Sequence, residues 1–293
     1  MLDFQPLTIE DRERVNEYLK KFQEPFCDFS FGNLFSWSVV ENTEIAFSDN
    51  FLFIRFSDDE KYYYSFPVGT GEIKNAVFEI IENAKINNEK IRFVCLSKNQ
   101  TKILKYIFQD EIKIIENRNS FDYVYSVKKL STLKGRKYHS KKNHFNSFKN
   151  SYNFIYEEIN ENNIKACIEF SKEWYKSNGT TEALQREQKA LSRALEYYFD
   201  LDLTGALIKV NNKIIAFCVG EKMYKENIFC THFEKADSEF PAAYAAINKL
   251  FSEFTINNFE FVNREDDAGI EGLRKAKLSY HPEFILEKYY AEF

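Results

Sequence analysis

The stretch VNREDDAGIEGLRKAKLSYHP, from Val262 to Pro282, sets four charged residues in a row behind a strand-like lead. Arg264, Glu265, Asp266 and Asp267 follow Asn263 at the end of FEFVN. A strand end is rigid and the loop beyond it is open to ligand, so acids and a base placed there suit substrate positioning or proton transfer. Four consecutive charges cannot all cap one helix. Gly269 and Gly272 then open a helix whose unpaired N–H groups could receive an anion, and Arg274 and Lys277 lie three apart on one of its faces. The plainer reading is an exposed turn whose acids and bases complement the helix dipole, which accounts for Asp266, Asp267 and Lys277 without any function.

A second candidate lies in THFEKADSEFPAAYAAIN, where period-2 alternation puts His232 and Glu234 on one strand face. The following helix, from Pro241, is lined by Ala242, Ala243, Ala245 and Ala246, small enough for a ligand to lie against its backbone. A lone histidine is more often a satisfied hydrogen-bonding partner than a catalyst, so His232 carries both readings.

Other chemistries lack their residues. Gly69 and Gly71 in FPVGTGEIKNA have no lysine at Walker spacing and read as a turn. His139 and His144 are five apart with no acid between them, and neither a close Cys pair nor an H-E-x-x-H occurs, so no zinc site is expected. No G-x-S-x-G elbow is present.

Capping residues and alternation predict the elements that must position these groups. The first half reads as a helix from Thr8 to Phe22, a short helix in SFGNLFSW, and strands in EIAFSD, NFLFIRFS and KYYYSFPV. A helix (72–86), the strand IRFVCL, a helix (99–108) and one or two strands up to Val127 follow. The second half repeats that order. NFIYEEI precedes helices near 161 and over 182–199, then come three strands, a helix (241–254), FEFVN, a helix (269–277) and FILEKYYAEF as one closing strand. A tandem duplication of one α+β unit explains the repetition, with domains expected at 1–130 and 131–293.

Between the halves, KGRKYHSKKNHFNSFK (134–149) carries six Lys or Arg and no acid. On a helix, Tyr138, Phe145, Phe148 and Tyr152 form an apolar stripe, while Lys137, Lys141 and His144 share another face. It is either a linker helix with solvated charges or a polyanion-contacting edge built from Arg136, Lys137, Lys141, Lys142 and His144.

The whole chain has 293 residues, a formal charge of −5, 44% hydrophobic residues and thirty Phe, enough for two packed cores and without a global field for nucleic acid. The five cysteines sit in apolar runs such as AFCVG and NIFCTHF, as buried free thiols do. No run approaches the roughly 18 apolar residues that span a bilayer, and MLDFQPLTIEDRERV is charged by its third residue, which places the protein in the cytoplasm.

The element order, with GRKYHSKKNHFNSF, THFEKAD and NREDDAGIEGLRKAKLSYHPEFILEKYYAEF, resembles the DUF2156 family, which is similar to the soluble C-terminal part of phosphatidylglycerol lysyltransferase. The resemblance covers nearly the whole chain. It implies two tandem GNAT-like (acyl-CoA N-acyltransferase) domains, each a mixed α/β sheet flanked by helices, related to FemABX transferases that use aminoacyl-tRNA. GNAT enzymes hold coenzyme A on a Gln/Arg-x-x-Gly-x-Gly/Ala turn. Here that place reads ADSEFPAAYAAI, without the basic residue or the glycines.

The resemblance thus implies an acyl- or aminoacyltransferase with acyl-CoA or aminoacyl-tRNA as donor and an amine, peptide or lipid headgroup as acceptor. His232 or Glu234 would deprotonate the acceptor and Tyr280 would protonate the leaving group. Asp266 and Asp267 would hold a cationic amine beside Asn263 and Glu265, and Arg264, Arg274 and Lys277 would face phosphates. The competing class is a non-catalytic binding or regulatory protein whose REDD run pairs internally, and a third is RNA binding through the basic helix alone. Replacing Asp267 by Asn separates the first two: turnover suffers in an enzyme, stability in an ion network.

Overall fold

The computed structural model describes residues 2–22, 24–48, 50–58, 61–179, 181–225 and 227–293. The chain divides into two compact units, one of Met1–Asp122, Asp266–Ile270 and Leu286–Phe293, the other of Tyr123–Glu265 and Glu271–Ile285.

In chain order the early elements are β1 (Gln5–Pro6), α1 (Arg12–Leu19), α2 (Phe31–Glu41), β2 (Glu44–Ser48), β3 (Phe51–Asp58), β4 (Lys61–Ser65) and β5 (Val68–Gly69). There follow α3 (Ile73–Ile86), β6 (Arg92–Leu96), α4 (Lys98–Phe108), β7 (Lys113–Glu116) and β8 (Asp122–Ser126). Next come α5 (Val127–Thr132), α6 (His139–Ser151), β9 (Phe154–Glu158), α7 (Ile164–Asn178), α8 (Glu182–Glu196), β10 (Thr204–Val210), β11 (Lys213–Lys222) and β12 (Ile228–Ala236). The last are α9 (Ala243–Leu250), which runs into a π-helical turn (Phe251–Thr255), β13 (Phe261–Asn263), α10 (Glu271–Leu278), β14 (Phe284–Leu286) and β15 (Tyr289–Glu292).

Local chemistry sets several of these boundaries. Ser97 Oγ accepts the Gln100 N–H (3.3 Å) while Gln100 Oε1 accepts the Ser97 N–H (2.8 Å), a reciprocal cap that starts α4. Thr181 caps α8 through the Leu184 N–H at 3.3 Å. The first predicted helix is shorter than expected, because a 3-10 turn at Ile9–Asp11 precedes α1 and α1 stops at Leu19.

One sheet runs β1-β2-β3-β4-β6-β15-β7, with β5 on β3, and the other runs β14-β8-β13-β12-β11-β10-β9. Both contain an antiparallel meander, β2-β3-β4 and β10-β11-β12, and one parallel pair, β4 with β6 and β12 with β13. FILEKYYAEF is therefore not one strand. Its first part lies beside β8, and its last part lies between β6 and β7. The break falls at Lys288, whose side chain is 1% exposed and ion-paired inside the first unit.

Burial does not alternate along the central strands: Phe51–Ile54 of β3 and Ile215–Glu221 of β11 are buried without a break, as in sheets covered on both faces. Phe53, Tyr64, Phe93, Val77 and Ile80 are fully buried in the first unit, and Ala206, Ile208, Ala216, Cys218 and Ala246 in the second. Full burial of a Phe or Ile contributes about 1.5–3 kcal/mol, so a phenylalanine-rich chain fills such cores readily. Among the described residues no helix is long and apolar enough to cross a membrane. The five cysteines are free, four of them buried and Cys95 partly so.

Candidate functional site

In the second unit the parallel pair β12 and β13 touches only over Ile228–Cys230 and Phe261–Asn263. Beyond Cys230, β12 continues for six residues with no β13 beside it. Arg264 and Glu234 meet past that point, Nη2 to Oε1 at 3.0 Å, with both side chains largely buried (13% and 14% exposed). Asn248, on α9, turns its amide oxygen to the same guanidinium and accepts from Nη1 (3.1 Å) and Nε (3.2 Å), an orientation set by those donors.

The guanidinium also lies 5.2 Å from the Tyr280 ring and 5.7 Å from that of Tyr125. Lys141, on α6, sits 4.1 Å over the Tyr280 ring. Burial, then the Arg264 charge, lowers the Lys141 pKa. Burial pushes the Tyr280 phenol up to about 12, with Arg264 working against the rise and Glu234 adding to it. At neutral pH Tyr280 is a protonated donor, and an anion formed on it would have two cations within reach.

The expected pairing of His232 and Glu234 on one face does not occur. β11 and β12 pair Val219 with Phe233 and then Gly220 with Thr231, so His232 is an extra residue without a cross-strand partner. Glu234 stands opposite Cys218, while His232 reaches Glu221, which shares the side of Val219. The bulge needs a glycine opposite it, since a Cβ on Gly220 would lie 1.9 Å from the Cys230 carbonyl oxygen.

His232 lies between two carboxylates, with Nε2 at 2.9 Å from Glu221 Oε1 and Nδ1 at 2.7 Å from Glu265 Oε1. Cys230 Sγ is 3.6 Å from Nδ1. Burial opposes a charge on the ring, but the Cys230 sulfur and the hydrogen bonds to Cys230, Glu221 and Glu265 outweigh it and hold the pKa well above the ordinary histidine value. Both ring N–H groups then donate. Glu265 is itself held in the left-handed region (φ 57°) with its N–H on Asn263 Oδ1 at 2.8 Å, and Asn263 is fully buried.

The run of four charges is divided between the units. Asp266 and Asp267 belong to the first, where Asp267 is fully buried, accepts from Arg118 at 3.3 Å and takes the Gly269 N–H at 3.0 Å. Asp266 accepts the Ala268 N–H at 2.9 Å. Both bonds lie within the loop before the helix, and Asp267 is buried against Arg118 instead of capping an exposed helix start. In the second unit Lys277 donates to the Arg264 carbonyl at 2.6 Å, so it braces the strand end rather than facing outward, and Arg274 lies half-buried on the same helix.

The basic helix forms as α6, preceded by a 3-10 turn at Arg136–Tyr138. Tyr138, Phe145 and Phe148 are buried and Tyr152 packs against them, the expected stripe. Arg136, Lys137, Lys142 and His144 are exposed, and only Lys141 turns in toward Tyr280.

Four neighbours of these groups were not singled out by the sequence: Glu221, Cys230, Tyr125 and Asn248. Glu221 ends a strand before Lys222 and looks like a solvated charge, and Cys230 looks like an ordinary core thiol. For Glu221 no signal existed, because its contact runs between strands, whereas Cys230 lies only two residues from His232 on β12. At the start of α9, Ala242 adopts φ 66°, a conformation glycine takes without strain.

A solved protein of unknown function from Bacteroides thetaiotaomicron is 38% identical, with all of each chain covered and a TM-score of 0.94. L-PGS from Bacillus licheniformis is 16% identical over 96% of this chain and 91% of that one, with a TM-score of 0.69. A tandem GNAT protein from the clavulanic acid biosynthesis pathway is 8% identical over 99% and 98%, with a TM-score of 0.54. The last two show a shared fold, GNAT-like and mixed α/β. The family model described as phosphatidylglycerol lysyltransferase, C-terminal, matches residues 20–292, and the chain belongs to that family.

Proposed function

We propose that the second unit carries an acyl-transfer site in which Glu234 is the base and Tyr280 the acid. The observation that supports it most is the buried Glu234–Arg264 pair, placed where β12 and β13 part and faced by a protonated phenol. The acceptor nitrogen or oxygen bonds to the acyl carbon as its proton passes to the Glu234 carboxylate. The bond from that carbon to the leaving oxygen or sulfur breaks, and the Tyr280 proton goes to the leaving atom. His232, donating from both nitrogens, has no lone pair for a proton and serves as a positioning residue for Glu265 and Glu221.

Tyr280 also bears on the donor. A thiolate leaving group, with a thiol pKa of about 8.5, gains little from protonation by a phenol near 12. An alkoxide leaving group is far more basic and gains much. We therefore favour an ester donor of the aminoacyl-tRNA kind over acyl-CoA, docked on Arg136, Lys137, Lys142 and His144, with an amine or hydroxyl acceptor and a lipid headgroup among the candidates. The name of the matching family, a phosphatidylglycerol lysyltransferase, is that of an aminoacyl transfer to a lipid headgroup.

Labelled aminoacyl-tRNA and labelled acetyl-CoA, each offered with amines and with phosphatidylglycerol vesicles, test the reading. Ester-dependent transfer should fall by about 10²–10⁴-fold in Tyr280→Phe with melting unchanged, and as far in Glu234→Gln at temperatures where that variant, which removes the charge facing buried Arg264, is still folded. Turnover of acetyl-CoA that survives Tyr280→Phe would reject the ester donor. A second reading, non-catalytic, draws on the internal pairing of Arg264, Glu265 and Asp267, and it predicts silence with every donor in the unaltered protein.

A further inference from the structure

Cys230 Sγ, His232 Nδ1 and a Glu265 carboxylate oxygen all lie within 4.8 Å of one another. The three donors come from two positions on β12 separated by Thr231 and from the loop after β13, and they converge because the bulge at His232 turns its ring toward Glu265. Thiolate, imidazole and carboxylate together form a donor set for a borderline divalent cation such as zinc.

The spacing agrees with that chemistry. Zinc bonds of about 2.3 Å to sulfur and 2.0–2.1 Å to nitrogen and oxygen at tetrahedral angles put sulfur and nitrogen about 3.6 Å apart and nitrogen and oxygen about 3.3 Å apart. The structure has Cys230 Sγ to Nδ1 at 3.6 Å and Nδ1 to Glu265 Oε1 at 2.7 Å, a hydrogen-bond length. The carboxylate withdraws from Nδ1 by a side-chain rotation as the cation takes the place of the Nδ1 proton.

The opposite edge of the ring is arranged as metal-bound histidines are. Nε2 donates to Glu221 Oε1 at 2.9 Å, which fixes the tautomer that leaves Nδ1 for a metal and raises its basicity. Asn263 holds the Glu265 backbone, so the loop donor is also oriented. With Cys230 and Glu265 anionic and His232 neutral, a divalent cation makes the set electrically neutral, and three protein ligands leave a fourth position open.

We propose that Cys230, His232 and Glu265 form a divalent-cation site of the zinc class, with Glu221 as its positioning residue. The inference is independent of the transfer reading, because it is read by metal content. The full chain is stripped with a chelator, dialysed against zinc at neutral pH and assayed for bound metal, and a parallel sample receives cobalt(II). One equivalent of zinc and a thiolate-to-cobalt charge-transfer band are expected. Both should be lost in Cys230→Ser and retained in Cys27→Ser. Glu221→Gln should keep the stoichiometry and weaken binding by about 10–100-fold. Each variant is first shown folded without metal by near-ultraviolet circular dichroism, and Glu265→Gln replaces Cys230→Ser should the latter not fold. No bound metal in the unaltered protein, equal loading in Cys230→Ser, or loading lost only in Cys27→Ser would each overturn the site.

Discussion

Each unit gathers a thiol and two carboxylates around one cationic side chain, and the two arrangements differ in what that cation is. In the first unit Lys288 Nζ contacts Asp28, Asp122 Oδ1 at 2.8 Å and Cys27 Sγ at 3.4 Å, with Cys95 Sγ on Asp28 at 3.2 Å. In the second, His232 lies between Glu221 and Glu265 beside Cys230. Burial disfavours the Lys288 charge, but Asp122 and Asp28 outweigh it and hold its pKa well above the ordinary value. An ammonium tethered to β15 fills its cluster permanently, and a metal ion could enter only by unpairing it. The imidazole holds its place with a proton that can exchange. The same donors are therefore structural in one unit and available for ligand chemistry in the other.

Lys288→Met should give the largest effect. It leaves Asp122, fully buried, and Asp28 without their cation, and removing one partner of a buried pair costs about 3–5 kcal/mol. Urea denaturation at neutral pH measures it. A loss under about 1 kcal/mol would mean that water reaches the cluster and that the contrast with His232 is one of degree.

Asp267→Asn comes next. Asp267 keeps a hydrogen bond to Gly269 as Asn but loses the charge facing Arg118, whose side chain is 34% exposed and can rehydrate. A loss of about 1–3 kcal/mol is expected, with donor affinity unchanged. Undiminished stability with abolished transfer would return Asp267 to the substrate role that its place in the REDD run first suggested.

The order of elements was legible because each cue is local. Ser97 with Gln100 marks α4, Tyr138, Phe145 and Phe148 mark the buried side of α6, and runs of Phe, Ile, Val and Tyr mark both meanders. What period-2 reasoning could not show was the residue at which the period fails. His232 interrupts it, and with that the face of Glu234 and the partners of His232 change together. Lys288 likewise looked like any polar residue of a final strand, although its burial is what divides β14 from β15. Within the charged run Arg264 and Glu265 reach β12, while Asp266 bonds within its own loop and Asp267 to that loop and to Arg118, a division that no spacing encodes. The donors around His232 escaped notice because metal motifs are sought at short spacings, and these come from a strand and a distant loop.

The pH dependence of stability sharpens the account of the Lys288 cluster. Burial raises the Asp28 pKa, but Lys288, by charge and hydrogen bond, outweighs it, so the folded value lies below the ordinary 3.8. A depressed carboxyl contributes stability that is present above 3.8 and lost as pH falls through the folded value. Lys288 is raised above 10.5, so its contribution is complete below 10.5 and lost as pH climbs through the folded value. Between those limits the cluster should contribute a constant amount, and Lys288→Met should flatten both limbs of the urea midpoint plotted against pH. A limb that survives the substitution belongs to other groups, with those around His232 the first to examine.

The smallest effect on stability is expected at Lys142, an exposed cation on α6 that makes the opposite extreme to Lys288. Lys142→Ala should change stability by less than about 0.5 kcal/mol, since a solvated charge gives up little when removed. If α6 docks a polyanionic donor, the same substitution lowers the affinity for tRNA at all sequences alike and reduces the slope of log affinity against log salt by about 1. Affinity measured at several salt concentrations separates this from a fold defect, which would lower binding without altering the slope. An unchanged slope in Lys142→Ala, and again in Arg136→Ala and Lys137→Ala, would make the exposed bases of α6 solvated charges only, and the donor would have to be held by the buried cations around Tyr280.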